Sequence, residues 1–197
     1  MYPILLEFGP FVVSSFGVMM VAAFLICNYL LKKDIEADGY NPILGEDITF
    51  RAAIGGIVGA KLYYLFEHIP TGQTAANIGG LFDIIAGFLK LIAGIFTFDL
   101  IRISTGIANF GAGLVFLGGL MGGMFLVTIY IYRNKLQWLE VTDWVAPFLV
   151  LGHGIGRIGC FLVGDDYGIP SNLPWAFPFP QGLPPTNIPV HPTQLYE

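Results

Sequence analysis

The sequence predicts an all-α fold, a polytopic transmembrane helical bundle with Gly-rich helices and a Pro-rich outer segment. Of the 197 residues, 55 % are hydrophobic and only 12 % are charged, and the mean hydropathy is +0.70. Soluble domains carry about 25 % charged residues, so these charges are too few to coat a water-soluble globule. The apolar residues form runs of membrane-spanning length. The 26 glycines and 13 prolines exclude a simple leucine-rich bundle, and the apolar content excludes disorder.

Four segments are long and apolar enough to cross a bilayer, and we expect one integral membrane domain covering residues 1–197. The first ends at a pair of lysines, the second contains two cations, the third ends at a basic loop, and glycines interrupt the fourth. The four predicted spans are residues 11–31, 49–66, 109–132 and 144–163.

Residues 80–101 form a further apolar segment, which contains Asp83, Lys90 and Asp99. Charged side chains are costly at membrane depth. We therefore expect this segment to be amphipathic or re-entrant.

The basic residues predict the orientation of the chain. Residues 164–197 contain no lysine or arginine. Cations instead flank the loops after the first and third spans, at Lys32, Lys33, Arg51, Arg133 and Lys135. Because cytoplasmic loops carry the excess of basic residues, we expect the N-terminus and residues 164–197 on the outer face. Four spans return the chain to the side on which it started, so counting and charge agree.

Charge and cysteine usage exclude two classes of function. The net charge is −5, so no basic surface is expected that would bind nucleic acid by counterion release. Cys27 and Cys160 both lie in apolar runs without CxxC spacing. This pattern predicts neither a disulfide framework nor a metal site.

Glycines recur four residues apart in the second and third spans. Such spacing lets transmembrane backbones approach closely, so it predicts tight helix packing. The pairs are Gly55/Gly59, Gly118/Gly122 and Gly119/Gly123.

Three ionisable residues stand out within the predicted spans: Lys61, His153 and Arg157. His153 and Arg157 are four residues apart and therefore share one helical face. Arg157 lies among glycines in GHGIGRIG, and its planar fork of donors matches a phosphate or a carboxylate. Lys61 offers a second cation, or it pairs with Glu67 or snorkels to the interface. His153 taken alone favours a satisfied interior histidine over a catalytic residue.

Residues 164–197 are rich in proline and aromatic residues, so they do not form a regular helix. Trp175, Phe177 and Phe179 suit a segment at the headgroup level. This outer segment follows the fourth span and is expected to lie over Arg157. Arg157, His153, Asp165 and Asp166 under this outer segment therefore predict a lipid headgroup site.

Two motifs carry a resemblance to a known family. Residues 156–168, GRIGCFLVGDDYG, resemble a signature that runs Gly-Arg-x-Gly-Asn-Phe-x-Asn-Gly-Glu and closes with a glycine. Residues 191–197, HPTQLYE, are similar to His-Pro-Ser-Gln-Leu-Tyr-Glu. Further landmarks match at Phe16-Gly17, at Lys61 with Tyr64, and at Leu117-Gly118-Gly119. The chain is identified as a member of the prolipoprotein diacylglyceryl transferases.

The resemblance implies a multi-pass enzyme of the bacterial inner membrane that works at the outer face without metal or other cofactor. Such enzymes transfer the diacylglyceryl group of phosphatidylglycerol to the lipobox cysteine thiol of a prolipoprotein and release glycerol phosphate. The implied partners are phosphatidylglycerol and prolipoprotein signal peptides within membrane lipid. By the resemblance, Arg157 holds the lipid phosphate. The expected catalytic residues are His153, Arg157 and Asp165, and the expected substrate-binding residues are Arg157, Lys61, Tyr64, Gly168, His191, Gln194 and Tyr196.

The chain departs from the family pattern at several positions. Leu117 stands where the family has histidine, and Cys160 and Val163 replace signature asparagines. Milder changes place Asp165 at the glutamate, Phe16 at a tyrosine and Lys61 at an arginine. We hypothesise that His153, whose ordinary pKa is about 6.5, replaces the missing histidine as the base for the thiol.

Two other readings stay open. One is a catalytically altered paralogue that binds or moves phospholipid, which the substituted signature positions favour. The other is a small-solute transporter, suggested by broken spans with intramembrane charges, although the sequence has no internal repeat. The chain stops at its HPTQLYE motif, whereas the family continues through further helices that complete the site, so we expect either a C-terminally truncated member or one that lacks those groups.

Overall fold

The computed structural model describes residues 2–8, 11–67 and 115–197, together with residues 89, 90, 92, 93 and 95. These residues form helices with two short hairpins. In chain order the elements are β1 (Ile4–Phe8), β2 (Phe11–Ser14), α1 (Ser15–Ala37), α2 (Ile43–Glu67), α3 (Phe116–Arg133), α4 (Trp138–Val163), β3 (Phe177–Phe179), β4 (Thr186–Val190) and a 3-10 turn (Thr193–Leu195). The chain divides into two compact units, Met1–Pro42 with Thr142–Glu197, and Ile43–Val141.

Three of the described helices, α1, α3 and α4, are long and apolar enough to cross a membrane. The helical membrane fold predicted from the sequence is confirmed, with two antiparallel hairpins, β1–β2 and β3–β4, added to it. Helix α2 contains the predicted segment 49–66 but is not among these three, since Arg51 and Lys61 interrupt its apolar stretch.

The helix boundaries differ from the predicted segments at several places, and α1 continues to Ala37 while α2 begins at Ile43. The first four residues of segment 11–31 form β2, and the helix starts at Ser15 because the Ser14 side chain accepts a hydrogen bond from the Gly17 amide at 3.0 Å. Helix α4 begins at Trp138, six residues before segment 144–163. Residues 109–114 and most of segment 80–101 lie outside the described residues.

In the first unit, α1 and α4 pack through small residues on α4. A Cβ atom on Gly159 would lie 3.1 Å from the Cβ of Met19, so a larger residue would push the helices apart. The Cys27 thiol donates to the Phe148 carbonyl at 3.2 Å. At the N-terminal hairpin, the Tyr2 amide donates to the Leu162 carbonyl at 3.2 Å. The contacts of Gly159 and Leu162 hold the last turns of α4, which carry the predicted site.

The opposite end of the α1–α4 pair is held by a tryptophan. Trp144 Nε1 donates to Asp38 Oδ2 at 2.7 Å, and its ring lies edge-on to Tyr40 with 4.8 Å between the centroids. Trp144 is 4 % exposed. The first unit is therefore anchored at both ends of its helix pair.

In the second unit, α2 and α3 meet backbone to backbone at glycines. A Cβ atom on Gly59 would overlap the Gly118 carbonyl, and one on Gly122 would overlap the Gly55 carbonyl and lie 2.7 Å from the Gly59 Cα. The close packing predicted from the glycine spacing is confirmed. At the start of α2, Asp47 binds Arg51 Nη1 at 2.6 Å and accepts from the Tyr130 hydroxyl at 2.8 Å.

Residues 164–197 fold around an aromatic cluster. Phe179 is fully buried and stacks on Tyr167 with 5.3 Å between centroids. It also packs edge-on to Phe161 at 6.0 Å and lies 5.2 Å from Phe177. The Phe179 ring therefore forms the core of the segment, and the position of the segment at the headgroup level stays a prediction. Trp175, by contrast, is 54 % exposed.

Candidate functional site

Arg157 lies near the end of α4 with two carboxylates on its guanidinium. Its Nη1 is 3.3 Å from Asp166 Oδ2, and its Nε is 2.9 Å from Glu197 Oε2. The Arg157 side chain is 14 % exposed. The guanidinium is therefore largely shielded from water, and its positive charge is balanced within the chain.

His153 lies one turn before Arg157 on the same face of α4, as its spacing predicts. Its Nε2 atom is 3.7 Å from the same Glu197 oxygen that contacts Arg157. About half of the His153 side chain is exposed. Glu197 thus joins the two residues, and the sequence reasoning missed it, although it closes the HPTQLYE motif that was singled out.

The loop after α4 adopts an uncommon backbone conformation. Gly164 and Asp166 have φ values of 77° and 54°, in the left-handed region that glycine and aspartate tolerate better than most residues. The Thr193 hydroxyl donates to the Asp166 carbonyl, and the Gln194 amide donates to the Asp165 carbonyl. These side chains hold the loop in the shape that directs the Asp166 carboxylate to Arg157.

Gln194 was predicted to bind substrate. In the structure its side chain is 3 % exposed, and its amide nitrogen is directed to the backbone of Asp165. Its contact with the site therefore passes through the loop that carries the two aspartates.

Asp165 lies half-buried next to Cys160. Its Oδ1 atom is buried and accepts no hydrogen bond from the described residues. Burial raises the pKa of this carboxyl, while the hydrogen bond with the Cys160 thiol and the charge of Arg157 oppose the shift. An acid with a raised pKa accepts protons more readily near neutral pH.

Cys160, Asp165 and Asp166 bring three potential ligand atoms within 4.8 Å of one another. Three ligand atoms are enough in number to hold a metal ion. The Arg157 guanidinium, 3.3 Å from Asp166, disfavours a second cation at the same place. The expectation that no metal takes part stays a prediction.

Three further predicted residues lie together in the outer segment. The Gly168 amide donates to the His191 carbonyl at 2.9 Å, and a Cβ atom on Gly168 would lie 3.0 Å from the His191 Cβ. Glycine is therefore the residue that fits this crossing of two backbones. The Tyr196 hydroxyl lies 3.1 Å from His191 Nδ1 and accepts from Trp175 Nε1 at 2.8 Å.

Lys61 and Tyr64 lie on α2, in the second compact unit, whereas the other predicted site residues belong to the first. Lys61 is buried, with 6 % of its surface exposed. Leu117, at the position where the family has histidine, lies in the first turn of α3 and is 48 % exposed.

The fold and the site define a helical membrane protein with a charged cluster at the end of one apolar helix. The family model described as prolipoprotein diacylglyceryl transferase matches residues 3–197, and the chain belongs to that family.

Several curated proteins named phosphatidylglycerol–prolipoprotein diacylglyceryl transferase are similar to the chain. The protein of Methylococcus capsulatus is 33 % identical over 198 residues, which cover 99 % of this chain and 64 % of the relative. The protein of Clostridium tetani is 32 % identical over 203 residues, covering 100 % and 68 %. The protein of Photobacterium profundum is 30 % identical over 197 residues, covering 99 % and 63 %. The chain thus spans roughly two thirds of the length of these relatives.

Proposed function

We propose that this chain transfers the diacylglyceryl group of phosphatidylglycerol to the lipobox cysteine thiol of prolipoproteins. Its relatives are named phosphatidylglycerol–prolipoprotein diacylglyceryl transferase, which supports the two substrates. The observation that carries the proposal is the shielded Arg157 guanidinium at the end of α4, next to a histidine and flanked by acids. Such a group binds a phosphate and stabilises charge that develops on it.

In the proposed reaction the substrate thiol gives its proton to a base, and the sulfur attacks the glyceryl carbon next to the phosphate. An S–C bond forms and the C–O bond to the phosphate breaks, leaving the electron pair on a phosphate oxygen. Arg157 stabilises that oxygen. Glu197 Oε2 lies 2.9 Å from Arg157 Nε without accepting a hydrogen bond from it, so this N–H can donate to a lipid phosphate that displaces Glu197.

His153 and Asp165 are the two candidates for the base. His153 is a candidate because histidine is the most frequent general base and this one lies one turn before Arg157 on α4. Burial raises the pKa of Asp165 toward physiological pH. Both residues flank Arg157, one on α4 and one on the loop after it.

The remaining roles complete the proposal. Gly168, His191 and Tyr196 shape the substrate site, and Gln194 acts through the Asp165 backbone. That Lys61 and Tyr64 bind substrate stays a proposal from the sequence. Prolipoprotein signal peptides are the protein partners, and nucleic acid is not. We place the chain as a multi-pass protein in the bacterial inner membrane, with its N-terminus and residues 164–197 outside, because the latter contain no lysine or arginine.

The test is lipidation of a reporter lipobox peptide by the purified protein supplied with phosphatidylglycerol. Arg157→Ala should abolish turnover, and Arg157→Lys should lower it strongly, because lysine keeps the charge but loses the fork of donors. Turnover that survives Arg157→Ala would exclude the phosphate contact.

A second variant assigns the base. His153→Gln should abolish lipidation if His153 takes the thiol proton, and undiminished activity would remove it from the mechanism. Mass spectrometry of copurified lipid provides the companion measurement. Phosphatidylglycerol retained by a protein that lipidates no peptide would favour the catalytically altered paralogue.

A further inference from the structure

Acidic side chains outnumber the cations around Arg157 in the described part of the first unit. Asp166 and Glu197 lie 3.3 Å and 2.9 Å from the guanidinium. Asp165 adds a third carboxyl, with an oxygen within 4.8 Å of one of Asp166. His153, 3.7 Å from Glu197, contributes a positive charge only when it is protonated. Three acids therefore face at most two cations.

This balance distinguishes phosphate esters by their charge. A phosphodiester lipid carries one negative charge, whereas a phosphomonoester carries about 1.5 to 2 at pH 7. Each nearby carboxylate repels the additional charge. We propose that Asp166 and Glu197 are specificity-determining residues that allow the Arg157 site to accept phosphodiester lipids and to reject phosphomonoesters.

The two carboxylates differ in how they are held. The Asp166 backbone is fixed in the left-handed region, with its carbonyl bound by the Thr193 hydroxyl. Its carboxylate therefore lies beside Arg157 as a counter-charge, 3.3 Å from Nη1. Glu197 contacts Arg157 and also lies near His153, so a phosphate that displaces it from Arg157 leaves it next to the histidine. Both carboxylates remain close enough to repel a dianion.

The inference rests on the proposed function for one consequence, the release of product. In that reaction the phosphodiester monoanion loses its glyceryl carbon to sulfur, and the electron pair of the broken C–O bond stays on the phosphate. The released glycerol phosphate is then a phosphomonoester with the larger charge. The carboxylates that admit the substrate therefore repel the product, which favours turnover.

The experiment compares two lipids with identical acyl chains, phosphatidylglycerol and phosphatidic acid, titrated into the purified protein in detergent. Binding is followed by the rise in unfolding temperature. The unaltered protein should bind phosphatidylglycerol more tightly. Asp166→Asn and Glu197→Gln should each shrink the ratio of the two dissociation constants about tenfold, because each removes one repelling charge. Asparagine accepts the left-handed backbone of position 166, so that variant should fold.

Asp34→Asn is the matched control. Asp34 is an exposed carboxylate near the C-terminal end of α1, whereas Gly159 packs on Met19 near the other end. Asp34 is fifteen helical residues from Met19, a distance of about 22 Å along α1. The control removes one negative charge, as each site variant does, and should leave the ratio of the two dissociation constants unchanged.

A ratio that stays constant in both site variants overturns the proposal, and so does an equal gain in affinity for both lipids. Binding is measured without turnover, so a protein that shows the ratio change but lipidates no peptide overturns only the proposed function. In a lipidating protein, both variants should also be inhibited by glycerol phosphate at about tenfold lower concentration.

Discussion

The α2–α3 interface and the surroundings of Arg157 are held by opposite kinds of contact. Between α2 and α3, the backbones of Gly55 and Gly59 meet those of Gly122 and Gly118 with no side chain between them. Around Arg157, side-chain charges and hydrogen bonds connect residues far apart in sequence. The first region requires residues without a Cβ atom, and the second requires particular polar groups.

This difference predicts how each region responds to substitution. The glycine interface has no space for one additional methyl group. Its stability depends on the size of the residues and not on polar groups. The polar region tolerates modest changes of shape but not the loss of a donor or a charge, since a buried group left without its partner is costly. Adding one methyl group at a glycine and removing one hydroxyl from the polar region therefore test the two kinds of contact separately.

The largest effect on stability is expected at Gly122. Gly122→Ala places a Cβ atom 2.7 Å from the Gly59 Cα, and the helices must separate to accept it. We expect a loss of about 1–3 kcal/mol in the free energy of unfolding, as for other overpacked sites. Unfolding in sodium dodecyl sulfate, followed by circular dichroism, measures this loss.

Gly154→Ala is the matched control, because a Cβ atom on Gly154 meets nothing within 4 Å. Both substitutions gain the same helix propensity, up to about 1 kcal/mol. The control should therefore stabilise the protein slightly or leave it unchanged. Equal behaviour of the two variants would show that the glycine interface does not limit stability.

A smaller effect is expected at Thr193, in the polar region. Thr193→Val keeps the shape of the side chain but removes the hydroxyl that donates to the Asp166 carbonyl. The expected loss is about 1 kcal/mol, the usual net contribution of one hydrogen bond. Thermal unfolding measures it, and Thr193→Ser, which retains the hydroxyl, should recover most of the loss. A valine variant as stable as the unaltered protein would show that the hydroxyl does not contribute to stability.

The sequence predicted the glycine interface well and the polar region only in part. A spacing of four residues is a local property, so Gly55/Gly59 and Gly118/Gly122 could be found without the structure. The pairing of Arg157 with Asp166 also involves close positions. The Glu197 contact instead joins residues 40 positions apart, through a loop whose path depends on the backbone at Asp166 and on Gln194. No pattern in the sequence encodes that path.

Two other differences have similar causes. The apolar residues of β2 resemble the start of a span, because hydropathy alone does not separate a short strand from a helix that follows it. Phe179 belongs to a segment that looks interfacial by composition, yet it packs against Phe161 and Tyr167, which lie well apart from it in sequence. In both cases tertiary contacts, rather than local composition, decide the position of the residue.

The smallest effect concerns the pH dependence of stability in the polar region. Burial raises the pKa of Asp165 above its value in the unfolded chain, so the folded state favours the protonated carboxyl. Its contribution to stability is fully present below the unfolded pKa of about 3.9 and is lost as the pH rises through the raised pKa.

Asp165→Asn removes this titration, so the variant should lose less stability than the unaltered protein between about pH 4 and pH 7. Asp34→Asn, at an exposed carboxylate, should keep the original pH profile, which thermal unfolding measures across that range. If Asp165→Asn leaves the profile unchanged, the carboxyl is already solvated in the folded protein, and the polar region tolerates its charge without the cost that burial predicts.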